Sequence, residues 1–131
     1  MKNEFIPYEQ AIALKELGFD EPCLAVYLTA GRFLYISEYV NRGDYRILAP
    51  LYQQAFRWFR QKHNILATVY SNASGYLYEW SDNVGGTHRG WSDYEGPNDS
   101  GVWNTYEEAE LACLNRLIIL TTPITNPQTK P

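Results

Sequence analysis

Apolar residues recur at helical spacing in three segments of the chain and as short continuous or alternating runs in four others. In residues 7–17, Ala11 with Leu14 and Ala13 with Leu17 make an apolar stripe behind Pro7, which tolerates the missing N–H of a first helical turn. Gly18 follows at the C′ position, and Phe19 is placed to fold back on Leu14 in a Schellman stop. Pro50 opens a second helix over 51–63. Its inner face is Leu51, Tyr52, Ala55, Phe56 and Phe59, and its outer face is Gln53, Gln54, Arg57, Arg60 and Gln61. A third helix starts from the capping box of Thr105 and Glu108. Ala109, Cys113, Leu117 and Leu120 share one face of it, and Pro123 and Pro127 end it.

The remaining runs read as strands. Residues 23–28 form a buried strand, and 33–37 form its antiparallel partner across a turn at Gly31. Residues 65–70 and 76–80 flank a five-residue connection that suits a hairpin. The order α-β-β-α-β-β-α predicts an α+β fold, an antiparallel sheet of about four strands packed against three helices. One domain over 1–122 and an extended Pro-containing tail over 123–131 complete the expected organisation.

Between the last strand and the last helix, residues 82–104 exceed the usual length of a connection. They hold five glycines but also Trp91, Tyr94 and Trp103, which are costly to leave in water. The segment therefore reads as an ordered Gly/aromatic binding loop.

Composition narrows the functional classes. With 131 residues, 45% hydrophobic and 20% charged, the chain is long enough to bury a core without metals or disulfides. No apolar run approaches a membrane span and no leader precedes the first helix, so a location in the cytoplasm and no membrane partner are expected. Trp and Tyr number four and eleven against five Phe, and eight of those fifteen fall between residues 70 and 106, a bias typical of ligand sites and interfaces. The net charge of −4 argues against duplex nucleic acid as a partner. The charge is uneven: residues 42–62 carry five basic residues and one acid, while 79–110 carry eight acids and one arginine. Pairing of those stretches between chains predicts a homodimer or larger closed oligomer.

Catalytic and metal-binding patterns are weak. His88 stands among acids, but no HxH, HxxxH or HExxH spacing joins it to His63, so no metal or other cofactor is expected. Cys23 and Cys113 both fall on apolar faces and read as small buried hydrophobes. The set that remains is one for recognition: Arg57, Arg60, His88, Arg89, Trp91, Tyr94 and Trp103. Arginine forks grip phosphate and aromatic planes stack on bases, so these residues predict a pocket for a small anionic, nucleotide-like ligand.

Four strings, residues 5–11, 17–23, 48–59 and 106–114, resemble a family of small uncharacterised proteins of tailed-phage and prophage genomes. The resemblance runs from residue 5 to about 120 and implies a phage accessory protein acting in the bacterial host's cytoplasm. By analogy with other small phage proteins, it suggests an anti-defence sponge that sequesters a nucleotide-derived signal without catalysis. The alternative is a module that inhibits a host or phage protein through an aromatic patch. A third reading is a metal-dependent hydrolase using His88 and neighbouring acids.

Overall fold

The computed structural model describes residues 4–28, 33–36, 46–82, 89–92 and 94–123. The fold is α+β with three helices, in the order α1 (Tyr8–Glu16), β1 (Ala25–Leu28), β2 (Phe33–Ile36), β3 (Arg46–Ala49), α2 (Tyr52–His63), β4 (Leu66–Asn72), β5 (Gly75–Ser81), β6 (Arg89–Trp91) and α3 (Tyr106–Thr121). The four expected strands are present. Two short ones join them among the described residues, and the six divide into two antiparallel sheets, β2-β1-β3 and β4-β5-β6. β3 escapes a pattern search because its four residues begin with Arg46 and run directly into Pro50 and the second helix. The expected five-residue connection tightens to a two-residue turn, Ala73-Ser74, between the paired Asn72 and Gly75. The Asn72 side chain accepts from the Ser74 and Gly75 amides, an Asx turn that replaces part of the loop.

Helix ends follow local chemistry. At the end of α1, Gly18 takes φ +100°, its amide donates to the Lys15 carbonyl, and the Phe19 amide donates to Leu14 at 2.9 Å. That is the double bond of a Schellman stop, and Phe19 and Leu14 are both buried there. α2 ends instead on Asn64 in the left-handed region at φ 58°. α3 begins with the full capping box: the Glu108 amide donates to Thr105 Oγ1 and the Thr105 amide donates to Glu108 Oε1, both at 3.1 Å.

One continuous core joins α1, the inner face of β1 and β3, α2 and α3. α3 packs on β4 and β5 through Ala109, Cys113, Leu114 and Leu117, whereas Leu120 is exposed. Trp58 is the largest departure from the expected face of α2: its indole is buried edge-on against Phe19, Phe59 and His63. His63 consequently has its pKa lowered by burial. The Tyr27 hydroxyl donates to the Ile6 carbonyl at 2.8 Å and ties β1 to the N-terminal segment. Among the described residues no helix is long and apolar enough to cross a membrane.

Candidate functional site

A cleft of about 960 Å³ opens beside α2. That volume lies at the upper end for small-molecule sites. Helical spacing places Gln53, Arg57 and Arg60 along one exposed ridge, and all three line the cleft. Phe56 contributes a half-buried ring from the adjacent position, and Leu24, Leu48 and Leu51 provide the apolar lining. Gln54 Nε2 donates to the Pro22 carbonyl at 2.9 Å and so ties α2 to the segment entering β1. Asp20 is the single carboxylate among the described lining residues. Cys23 also lines this cleft, but burial, then the charge of Glu21, pushes its thiol up to about 12. A neutral, buried thiol is a wall and not a nucleophile at neutral pH.

Of the other five residues of the expected recognition set, Trp91, Tyr94 and Trp103 lie elsewhere. His88 falls outside the described residues, and Arg89 is described by its backbone, in register with Ser81 on β5. Trp91 pairs with Glu79 across β6 and β5 and is 56% exposed. Tyr94 is 76% exposed on the following turn. Trp103 is structural: its amide and carbonyl exchange 3.0 Å bonds with Tyr76, and its ring stacks on Tyr78 with centroids 6.0 Å apart. Trp91, Tyr94 and Trp103 are not among the residues that line the arginine cleft.

The described part of residues 82–104 is held by an internal network. Gly96 and Gly101 are joined by a 2.9 Å amide–carbonyl bond, and the Asn98 amide donates to Val102. Gly101 sits at φ +69° against the Tyr94 backbone, where a Cβ has no room. Beneath this loop the Tyr78 hydroxyl donates to the Glu95 carboxylate at 2.6 Å, and Arg116 closes the triad with a 2.7 Å ion pair to Glu95. Burial first, then the carboxylate bond, raises the Tyr78 phenol far above its ordinary range. The triad anchors the loop to α3 and leaves Glu95 neutralised within the chain.

A second cleft of about 510 Å³ is lined by Glu4, Tyr52, Gln53, Tyr106, Glu107 and Glu110. Burial and the charge of Glu107, one turn earlier, push the Glu110 carboxyl up to about 7. Tyr52 is pushed up to about 12 by burial, then by Glu110 and Tyr27. Sequence reading missed this cleft because its residues come from the N-terminal segment, α2 and α3, and no spacing links them. Among the described residues no group of three His, Cys, Asp or Glu side chains is arranged to hold a metal ion.

No family model, curated protein or solved structure matches the chain.

Proposed function

We propose that the chain binds a small anionic, nucleotide-like ligand in the cleft beside α2 and holds it without chemical change. The observation that carries this reading is the convergence of Arg57, Arg60 and Gln53 on a cleft that also presents Phe56 and leucine side chains. Two guanidinium forks supply charge-assisted donors to phosphate oxygens, the glutamine amide adds a neutral donor and acceptor, and the ring and leucines take a planar base. Leaving one such anion contact unmade costs about 1.5–3 kcal/mol, or roughly a tenfold to hundredfold loss of affinity. The biological setting proposed with this activity is that of a phage accessory protein, possessing an anti-defence role through sequestration in the host cytoplasm. Equilibrium dialysis against cyclic dinucleotides and ADP-ribose derivatives tests it. Retention of one member, recovered unchanged after denaturation, is the expected result; recovery of cleaved products would make the protein a hydrolase, and retention of none would remove the proposal.

A second reading rests on Trp91 and Tyr94, which are 56% and 76% exposed. Large exposed aromatics on an ordered scaffold suit a protein partner, and such side chains commonly cost about 2 kcal/mol or more when truncated at an interface. Under this reading the chain inhibits a host or phage protein through the β6 face. Pulldown with wild type and a Trp91→Ala variant separates the two: a partner lost with Trp91 favours the interface, and one retained by both argues against it.

A further inference from the structure

β4 is an edge strand of unusual character. Among the described residues it pairs, in the order β4-β5-β6, on one side only, with β5, from Leu66↔Ser81 to Asn72↔Gly75 without a break. Among the described residues no turn or loop backbone bond reaches residues 66–72 from the other side. Native proteins protect such edges with short length, charge, proline or a bulge. β4 has none of these. Its seven residues, Leu-Ala-Thr-Val-Tyr-Ser-Asn, carry no charge and no proline, and the ladder is in register throughout. The other edges differ: β6 has three residues, β2 and β3 have four each, and β3 carries Arg46. Leu66 is 54% exposed, and Thr68, Tyr70, Ser71 and Asn72 are exposed with it.

We infer that β4 pairs antiparallel with β4 of a second copy of this chain, about a two-fold axis at Val69. An antiparallel strand pair has two-fold symmetry by construction, so a strand whose sequence tolerates facing itself can close a dimer. About Val69, Thr68 of one copy faces Tyr70 of the other, Ala67 faces Ser71, and Leu66 faces Asn72. No charge meets its like at any of these positions. Threonine and tyrosine opposite each other are a favourable cross-strand pair, and the axis provides two of them. The product is a six-stranded sheet whose two α3 helices lie on the same inner face, because each α3 packs against its own β4 and β5. The outer rows containing Leu66, Tyr70 and the exposed Trp91 then continue across the axis. The pairing uses none of the arginines, but Ala67 of β4 also lines the arginine cleft, so the two readings meet at that wall and are separated by their tests, oligomeric mass for the pairing and ligand titration for the cleft. It also differs from pairing of the basic and acidic stretches, since backbone bonds and uncharged side chains make the contact.

Sedimentation equilibrium across a wide concentration range and a salt series tests the inference on the full chain, with a Thr68→Lys/Tyr70→Lys variant that sets lysine opposite lysine. Hydrogen exchange of wild-type β4 amides against protein concentration provides a readout independent of that variant's folding. The expected result is twice 15.2 kDa for wild type at every salt concentration, about 15.2 kDa for the variant, and β4 exchange that slows as concentration rises. A wild-type mass of 15.2 kDa throughout overturns the pairing. So does a dimer that dissociates with salt, or one whose β4 amides are insensitive to concentration. β4 protection appearing only when an extended peptide is added would assign the edge to a foreign strand and equally overturn it.

Discussion

Glu110→Gln should stabilise the protein in alkaline solution and leave it nearly unchanged in acid. Glu110 is half-buried on α3, one turn after Glu107 and beside Tyr52 and Tyr106 in the smaller cleft. Burial, then the Glu107 charge, raises its carboxyl from 4.5 to about 7. A raised carboxyl pKa means that the folded chain holds the proton more tightly than the unfolded one. Its contribution is therefore complete below about 4.5 and is lost as pH rises through about 7. Taken in full, the displacement corresponds to roughly 3 kcal/mol. Because much of the side chain meets water, screening leaves about 1 kcal/mol. Glutamine mimics the protonated state at every pH, so urea unfolding at pH 8.5 should show the variant about 1 kcal/mol more stable, with an unchanged denaturant slope. At pH 3.5, where the carboxyl is protonated in both the folded and the unfolded chain, the two curves should nearly coincide. The Tyr52 phenol, which Glu110 helps to hold near 12, should titrate lower in the variant by ultraviolet absorbance. A variant no more stable than wild type at pH 8.5, or equally stabilised at both pH values, refutes the reasoning.

Other perturbations have definite expected outcomes. Thr105→Ala removes the acceptor for the Glu108 amide at the start of α3 and should cost about 1 kcal/mol in urea unfolding. Tyr78→Phe leaves the Glu95–Arg116 pair without the buried hydroxyl and should cost about 1–2 kcal/mol, with faster amide exchange across residues 94–103 than elsewhere. Both cysteines should resist a thiol reagent at pH 8 until the protein unfolds, since burial first, then nearby carboxylates, pushes both thiols up to about 12. Rapid labelling of either one in the folded protein would contradict their placement.

The fold was legible where short-range chemistry sets it. Pro7, Gly18 and Phe19 bound α1 by backbone rules that act within a few residues, and Thr105 with Glu108 marks α3 in the same way. The partition into two sheets was not legible, because β3 and β6 are too short to show a period and their pairings span many residues. Trp58 escaped for a different reason. It lies beside the polar ridge in the helical pattern, and only the docking of Phe19 and His63 makes its surroundings apolar. Of the candidate site, the three-residue spacing of Arg57 and Arg60 indicated a shared exposed face, whereas Leu24 and Leu48 reach the cleft from the segment ahead of β1 and from β3. Trp103 looked like a ligand platform because composition cannot distinguish a ring that stacks on a ligand from one that stacks on Tyr78.

The proposed anion site in the cleft beside α2 rests on Arg57 and Arg60. Calorimetric titration of a nucleotide panel into wild type and into an Arg57→Gln/Arg60→Gln variant tests it most directly. Both side chains are exposed, so the double substitution should leave the fold intact by circular dichroism. One bound ligand per chain is expected for at least one panel member, with affinity reduced on the order of a hundredfold or more in the variant. No binding to wild type, or equal binding to both proteins, would contradict it.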